Sequence, residues 1–550
     1  MKMISRILMV VLCLALLSSS ALAYTLSDNG VMPVADEKIE LTVWTAVDHA
    51  NVEDFDKNLL TDRMEALTNV HVVWEQIDMT EKETKFNLAL TRDVYPDIFG
   101  TGFTTDQIMA YGGKVLIPLE DLIDEYAPNI TRILDSDPVL KEMITAPDGH
   151  IYTLFSTDNG TNQFCPTKCF VRRSWLNTYM EDGNDYPVTY EDFENMLQYF
   201  MDNDMNGNGD TTDEIPFSTS YSFWCGRPDV YLLNAFQMLG AFNNAFDYIT
   251  VDADGNAYNG AITDECREGL KWINGMYEKG LIDEATFVQT DAQAKSLISR
   301  PEEEAIVGCF TSAYEMYAID TAVCPDGTYV ALAPIEGPTG LRQAPVYGSN
   351  GIASMSLQCA ITVSCKDPVA AIKWLDYFYT EYPNNIVYDG ILGEDFIIDM
   401  EQINRKGEAG VKVWNEEYKA LKEQLGSANM GWGPHFHPYY ATTQNSFNGA
   451  EPEEGTWSYV VNEAHQIYAP FYTYNGYPMI TWSVNAEEAT ECAELEAVFR
   501  SYCRESFTKF ITGVWDIDSD EDWGAYLNDM EETYQNSRWV ELRQKKMDKQ

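Results

Sequence analysis

Strand-like and helix-like segments alternate along the first hundred residues, and this alternation is the feature that most constrains the fold. The stretches IELTVWT (39–45) and VHVVWEQI (70–77) are rich in β-branched and aromatic residues, as strands are. Between them, apolar residues at 59–67 recur at helical spacing. Strand–helix–strand order predicts a parallel sheet wrapped by helices.

The carboxyl ends of parallel strands are where open α/β sheets bind ligands. Trp44 and Thr45 end the first predicted strand, and Thr101 lies in the glycine turn that ends a third, YPDIFGTG (95–102). We therefore expect Trp44, Thr45 and Thr101 to contact a ligand.

The alternation continues through the chain, which at 550 residues is long enough for two or more domains, each with its own core. Helices are predicted at 116–130, 189–204 and 368–382, and strands at 151–157, 305–310, 328–335 and 361–364. The helix at 189–204 opens with a Thr-x-x-Asp cap. The last hundred residues are mostly helical in pattern.

The amino terminus has the three parts of a signal peptide. Lys2 and Arg6 form a basic region, residues 7–17 form an apolar one, and the small residues at 21–23 provide a cleavage site. Lipid attachment at Cys13 is disfavoured, because a bulky leucine precedes it and much of the apolar run follows it. The sequence therefore predicts an exported, freely secreted protein, located outside the cell or in the cell envelope, or in the periplasm if there is an outer membrane.

The charge balance is strongly acidic. Asp and Glu number 87 against 36 Lys and Arg, so the net charge is −51, and −51 − 2 = −53 after loss of the two basic residues of the leader. Such a field repels nucleic acid and anionic lipid and favours a soluble monomer. After the leader, no apolar run reaches the roughly 18 residues of a membrane span, so the mature chain is not expected to insert into a membrane.

Ten cysteines remain after cleavage, an even number that permits disulfides in an exported protein. Cys165 and Cys169, in CPTKC, have no second pair at zinc-ligand spacing. They are interpreted as a local disulfide or as two thiols.

The stretch DMNGNGDTTDEIPF (204–217) has oxygen-bearing side chains at Asp204, Asn206 and Asn208, followed by Gly209. This pattern matches the first half of an EF-hand loop, in which alternate side chains converge on calcium and the glycine permits a sharp bend. An EF-hand would place glutamate where Ile215 stands, and Ile-Pro-Phe favours a strand after the loop. We predict a calcium loop of helix–loop–strand type, with a polar turn as the alternative.

Several stretches together resemble the bacterial extracellular solute-binding proteins of family 1, in the large subgroup that includes the alginate-oligosaccharide-binding proteins. They are the D-x-N-G-N-G loop with DEIP, PDIFGTG, GLIDEATF, GTYVALAPIEGPTG, DPVAAIKWLDYFYTEY and KFITGVWDIDSDEDWGAYL. The resemblance implies a periplasmic-binding-protein-like fold of type II, in which two α/β lobes joined by a hinge trap a ligand in the cleft between them. It also implies transmembrane permease subunits of an ABC importer as partners.

The resemblance further implies a domain organisation in which the chain crosses between the lobes several times. The expected segments are a signal peptide at 1–23, the first lobe at 24–155 and 351–427, and the second lobe at 156–350 and 428–550, with the C-terminal helices in the last. The expected crossings lie near Tyr152–Asn159, Ser349–Ile361 and Gly426–Trp432.

In such proteins the calcium is structural and lies in the second lobe. Carried over by position, the implied ligands are the side chains of Asp204, Asn206 and Asn208, the carbonyl of Asp210, and the carboxylates of Asp213 and Glu214. The loop is one residue longer than the shortest family version, so which of Thr212, Asp213 and Glu214 complete the shell stays open.

Aromatic residues make up 13% of the chain, and sugar rings stack on such side chains through their apolar C–H faces. We expect Trp224, Tyr314 and Trp432 to bind ligand, the last because a glycine-rich loop is expected to be exposed. Trp374, on an amphipathic helix, is expected in the core. The acidic field favours a neutral oligosaccharide over an acidic one, and a peptide is the alternative ligand.

Three other function classes are alternatives to a binding protein. A secreted glycoside hydrolase would need two carboxylates at a defined separation, and no recognisable motif surrounds such a pair. A metal enzyme at His435 and His437 would lack a third ligand nearby. A purely structural surface protein would not close on a ligand. The sequence contains neither G-x-S-x-G nor a Walker motif, and we predict a binding protein rather than an enzyme.

Overall fold

The computed structural model describes residues 24–47, 54–158, 165, 167–237, 248–346, 354–380, 390–404, 409–426, 429–436, 438–440, 452–474, 480–483 and 485–548. The predicted signal peptide, His437 and parts of the expected crossings lie outside these residues.

Sixteen strands are present in the described part of the chain. They are β1 Ile39–Val47, β2 Val70–Asp78, β3 Ile98–Phe99, β4 Leu154–Asp158, β5 Lys168–Arg172, β6 Ile215–Phe217, β7 Ile249–Val251, β8 Ala257–Asn259, β9 Val307–Ser312, β10 Tyr329–Leu332, β11 Ala344–Val346, β12 Ser354–Gln358, β13 Ala360–Ile361, β14 Phe396–Ile403, β15 Ala409–Trp414 and β16 Tyr472–Tyr474.

Eighteen α-helices lie between and after these strands in the same described ranges. They are α1 Leu59–Thr68, α2 Lys82–Arg92, α3 Thr105–Tyr111, α4 Glu120–Tyr126, α5 Pro128–Ser136, α6 Pro138–Ile144, α7 Arg173–Glu181, α8 Tyr190–Asp202, α9 Pro228–Leu233, α10 Asp264–Glu278, α11 Asp291–Ile298, α12 Glu315–Ala318, α13 Pro368–Asp376, α14 Glu416–Leu425, α15 Trp457–Tyr468, α16 Ala486–Ile511, α17 Asp520–Glu532 and α18 Asn536–Met547.

The first lobe is built on a four-stranded sheet of order β13-β3-β1-β2. β1 runs parallel to β2 from Ile39↔Val70 to Val47↔Asp78 and parallel to β3, whereas β13 is antiparallel to β3. Helices cover the sheet, and one hydrophobic cluster fills the space between these layers. The predicted parallel sheet with helical crossovers is confirmed in this lobe.

The second lobe contains another four-stranded sheet, of order β10-β5-β9-β6. β6 is parallel to β9, and β5 is antiparallel to both β9 and β10. A separate hydrophobic cluster surrounds this sheet and includes residues of the C-terminal helices, such as Phe499, Trp539 and Leu542. Two cores, each with its own sheet, correspond to the two expected lobes.

Three chain segments run side by side near the expected crossings. β4 and β12 form an antiparallel pair, and Tyr439 makes a parallel bridge to Ser156 of β4. β4 and β12 lie within two of the expected crossings, Tyr152–Asn159 and Ser349–Ile361, and these crossings stay predictions. Trp432 and Phe436 pack in the core of the first lobe and Tyr440 packs against it, so the chain has not left that lobe at the third expected crossing. The boundaries of the segments stay a prediction.

Local sequence signals account for most helix ends. Thr189 caps α8 as predicted, with its hydroxyl oxygen accepting the N–H of Asp192 at 3.1 Å and the Asp192 carboxylate accepting the N–H of Thr189 at 2.9 Å. The single helix predicted at 116–130 is wrong, because Ala127 leaves helical geometry ahead of Pro128 and two helices form instead.

The ten cysteines that follow the predicted leader all lie among the described residues, and all are free thiols. Nine of them are buried, and Cys365 is partly exposed. Of the two interpretations of CPTKC, the structure has the two thiols.

Candidate ligand site and calcium loop

Four aromatic side chains form a group on the second lobe, which we call the aromatic cluster: Trp224, Tyr314, Tyr317 and Trp457. The ring of Trp224 lies 5.5 Å from that of Tyr314, centroid to centroid, and 5.7 Å from that of Tyr317. The ring centroid of Trp457 lies 6.1 Å from that of Tyr314. Tyr317 and Trp457 are 39% and 44% exposed, so the cluster presents aromatic surface to solvent.

The cluster is assembled from three separate parts of the chain. Tyr314 and Tyr317 lie at the start of α12, directly after β9. The N–H of Ala313 donates to the carbonyl of Trp224 at 2.8 Å, which holds the loop before α9 against this turn. Trp457 is the first residue of α15, whose N-terminus is capped by the hydroxyl of Thr456.

The position of the cluster follows from the strand register. Ser312 at the end of β9 pairs with Lys168 at the start of β5, and the chain enters β5 from the crossing strand β4. The aromatic cluster therefore lies at the edge of the second sheet where β5 begins and β9 ends. Contact between this edge and a ligand stays a prediction.

Hydrogen bonds of Glu315 stabilise the turn that carries Tyr314 and Tyr317. Its buried carboxylate accepts the N–H of Tyr329 at 2.7 Å and that of Gly327 at 2.9 Å. Burial raises the pKa of Glu315 to about 7, although these two hydrogen bonds and the charge of Arg173 act in the opposite direction.

The three site residues predicted in the first lobe meet at the carboxyl edge of its sheet, but their side chains are buried. Trp44 is 3% exposed and packs against Phe86 and Phe99. The hydroxyl of Thr45 donates to the carbonyl of His435 at 2.7 Å, and Thr101 follows β3. β1 continues to Val47, two residues beyond Thr45, and the ligand contact of the three residues stays a prediction.

The expected exposure of Trp432 is wrong. Its indole is 1% exposed and donates to the hydroxyl of Thr61 at 2.7 Å. Its ring centroid lies 5.1 Å from that of Trp74 and 5.4 Å from that of Phe436. The glycines around Trp432 shape a segment that folds back into the first core instead of an exposed loop. Trp374 lies in the same core, as predicted.

The loop after α8 is tightly folded around its own side-chain oxygens. The carboxylate of Asp204 accepts the N–H groups of Asn208 and Gly209 at 3.0 and 2.8 Å. The side-chain oxygens of Asn206 and Asn208 accept the N–H groups of Asn208 and Asp210 at 2.9 and 2.7 Å. Gly209 has φ +91°, a left-handed geometry that favours glycine. The oxygens of the predicted ligands are thus gathered in one turn.

Two carboxylate oxygens in this loop are buried without a hydrogen-bond partner, namely Oδ1 of Asp213 and Oε2 of Glu214. Burial, with smaller contributions from the charges of Asp213 and Asp204, raises the pKa of Glu214. Orphaned buried carboxylate oxygens beside amide oxygens suit a hard cation such as calcium.

Within the described ranges, no three His, Cys, Asp or Glu side chains converge closely enough to hold a metal by themselves. The two asparagines and the carbonyl of Asp210 would therefore have to complete a calcium shell in the loop.

Sequence reasoning missed Tyr317, Trp457 and Glu315. The i, i+3 spacing of Tyr314 and Tyr317 could have indicated the first of these. Trp457 is remote in the chain, and nothing in its local sequence connects it with Trp224.

No family profile matches the chain. Its sequence is similar to that of the fructooligosaccharide ABC transporter substrate-binding protein FusA of Streptococcus pneumoniae serotype 4. The two are 27% identical over 532 residues, and the alignment covers 94% of this chain and 92% of FusA.

Solved structures share the fold over nearly the whole chain. A FusA EF-hand mutant in complex with fructo-nystose has a TM-score of 0.73 at 24% identity, with 93% of this chain and 99% of that chain covered. A human-milk-oligosaccharide ("HMO") binding, ABC-transporter-associated protein from Bifidobacterium longum infantis has a TM-score of 0.70 at 18% identity over 93% and 99%. The alginate-binding protein AlgQ2, solved without calcium ion, has a TM-score of 0.67 at 18% identity, with 93% of this chain and 98% of that chain covered.

The chain therefore has the fold of the substrate-binding proteins of ABC transporters, which are periplasmic-binding-protein-like, and the fold class expected from the sequence is confirmed. The resemblance to the solute-binding proteins of family 1 is confirmed as well, and FusA is the relative that carries it in sequence. In the part of the chain that the structure describes, no helix combines the length and the apolar character that a bilayer crossing requires.

Proposed function

We propose that this protein is the extracellular substrate-binding component of an ABC importer and that it captures an oligosaccharide between its lobes. The observation that carries the proposal is the full-length relationship to FusA, a fructooligosaccharide-binding protein, which extends over both lobes. The aromatic cluster supplies a surface of the kind a sugar requires, at the edge where the lobes meet.

The mechanism is hinge closure around the segments that cross between the lobes. Open and closed forms exchange, and a ligand that contacts both lobes favours the closed form by its differential affinity. In the second lobe, the rings of Trp224 and Trp457 would stack on the C–H faces of sugar units. Hydroxyl groups of the sugar would then bond to polar groups along the strand ends, near Thr45 and Thr101.

A neutral oligosaccharide fits this chain better than an acidic one. The net charge of −51 creates a field that opposes an anionic ligand. Peptide binding by the same fold is the alternative within this class, and FusA and the milk-oligosaccharide-binding relative favour sugar.

Calcium is proposed as a structural cofactor of the loop that follows α8. The side chains of Asp204, Asn206 and Asn208 and the carbonyl of Asp210 would form most of the shell. The orphaned oxygens favour Asp213 and Glu214 as the remaining ligands over Thr212, whose hydroxyl bonds to the Asp210 carboxylate at 2.6 Å. One solved FusA structure is of an EF-hand mutant, and an EF-hand in this relative supports the same assignment.

The remaining parts of the proposal concern partners and location. The closed form would deliver its sugar to the transmembrane subunits of a permease, and the mature chain would act as a monomer in the envelope or outside the cell, after cleavage of the leader at 1–23. We propose no catalytic activity, because FusA, the sequence relative, is a substrate-binding protein. A secreted glycoside hydrolase is the alternative.

The test is a binding screen by calorimetry and thermal shift against kestose, maltotriose, an alginate trisaccharide and a tripeptide. A dissociation constant in the micromolar range or below for a neutral sugar, with the sugar recovered intact by chromatography, is the expected result. Cleavage of the sugar would favour the hydrolase. Tight binding of the tripeptide alone would overturn sugar as the ligand.

A further inference from the structure

A buried ion pair joins the two lobes beside the crossing strands. The ammonium of Lys546 lies 3.0 and 3.1 Å from the two carboxylate oxygens of Asp106. The hydroxyl of Ser483 donates to the same carboxylate at 2.6 Å. All three side chains are buried.

The partners of this pair belong to different cores. Asp106 lies in α3, two residues before Ile108 of the first core. Lys546 lies in α18, whose Trp539 and Leu542 pack in the second core. The contact is therefore an interface between lobes. It lies beside a stretch where the chain itself passes from the first core, at Trp482, to the second, at Cys492.

The contact lies close to the hinge. The N–H of Phe103 donates to the carbonyl of Leu357, in the crossing strand β12, at 2.8 Å. α3 begins two residues after Phe103, and a helix advances about 1.5 Å per residue. Asp106 is thus within about one helical turn of a crossing strand. In a hinge rotation, atoms near the axis move least.

Separation of the pair would be unfavourable because it would leave charges in a buried site. Arg543, one turn before Lys546 and also buried, is a second positive charge that faces Asp106. Its guanidinium lies 5.0 Å from the ring of Trp539 and 3.9 Å from the carboxylate of Glu496. Burial lowers the pKa of Arg543 to about 10. Removing one partner from such a site is far more unfavourable than separating an exposed pair.

We propose that the contact between Asp106 and Lys546 is a pivot that stays formed while the lobes open and close. With the crossing strands as the other anchor, the pivot confines closure to a single axis. The inference rests on the proposed function, because it assumes that the lobes move around a bound sugar.

Distances between spin labels on ketone-bearing amino acids test the pivot without touching the cysteines. One label pair, at Lys114 and Asp548, reports on the pivot, and both positions are exposed. The other, at Met79 and Val323, reports on the cleft side, and both positions are exposed there too. Measurements are made on the full mature chain, free and with kestose at millimolar concentration.

The expected result is a cleft-side distance that shifts by several ångströms with kestose and a pivot-side distance that stays single and unchanged. If both distances shift, the pivot is overturned while sugar capture stands. If neither shifts, hinge closure fails, and the pivot fails with it.

Substitution of the pair gives a second readout. In Lys546→Met the pivot-side distance distribution should broaden. Lys545→Met should leave it narrow, because the ion-pair partners of Lys545, Glu488 and Glu541, lie in α16 and α18 and not in the first lobe. A narrow distribution in Lys546→Met would overturn the proposal. If that variant does not fold, the distances in the unsubstituted chain decide.

Discussion

The indole of Trp224 and the phenol ring of Tyr314 lie 5.5 Å apart, centroid to centroid, at an interplanar angle of 30°. The two rings come from different loops that one backbone hydrogen bond holds together, from Ala313 to Trp224. Their arrangement forms a tilted aromatic surface at the edge of the second lobe, and it is the most specific feature from which sugar binding can be tested.

We expect Trp224→Ala to weaken the binding of kestose, or of the neutral sugar that the screen identifies, by about 30-fold, or ~2 kcal/mol, because it removes one stacking face. The melting temperature should change little, since this side chain is only partly buried. Calorimetry measures the affinity. Tyr95→Ala, at the amino end of β3, is the control and should bind normally. Equal affinities of the Trp224 variant and the unsubstituted protein would contradict the site.

Trp432→Ala should instead destabilise the protein, by about 3–5 kcal/mol, because it leaves a cavity in the first core. Urea unfolding followed by fluorescence measures this change. Trp457→Ala, at an exposed position, is the matched control and should alter stability by no more than ~0.5 kcal/mol. A stable Trp432 variant with lost sugar affinity would restore the original expectation for this residue.

Removal of calcium should lower the melting temperature. At free calcium about a hundredfold above its Kd, the folded state gains about 2.7 kcal/mol. We expect a chelator to abolish this gain and Glu214→Gln to show no response to calcium. Asp252→Asn, in the exposed turn between β7 and β8, is the control and should keep the full response. An unchanged melting temperature after chelation would refute the calcium loop.

The free energy of unfolding should depend on pH through Glu315. Its folded-state pKa of about 7 exceeds the ordinary value of 4.5, so between these values the folded state binds more protons than the unfolded one. Stability should therefore fall as pH rises through this window, by up to about 3 kcal/mol.

Urea titrations at pH 4.5, 6 and 8 measure this slope, and Glu315→Gln should flatten it. A smaller slope of the same sign should persist from Asp376, whose pKa burial raises to about 6. Identical slopes in the variant and the unsubstituted protein would show that Glu315 does not titrate in this range.

Much of the local structure was predictable from the sequence. The side-chain periodicities of β1, α1 and β2 follow from the backbone geometry of strands and helices. The capping of α8 by Thr189 involves residues three positions apart. The loop proposed to bind calcium is equally local, because its oxygens come from alternate positions of one turn. Predictions failed where a proline divided α4 from α5 and where tertiary packing overrode a turn signal, as at Trp432.

The sequence by itself determined the individual strand and helix segments, the helix caps and the loop of converging oxygens, since each depends on neighbours within a few residues. Only the tertiary structure decided how the strands pair, that Trp457 packs beside Tyr314 and that Lys546 reaches Asp106. Such pairs are remote in the chain, and no local periodicity encodes them. They form because burying the apolar faces of both lobes leaves one arrangement in which these side chains meet.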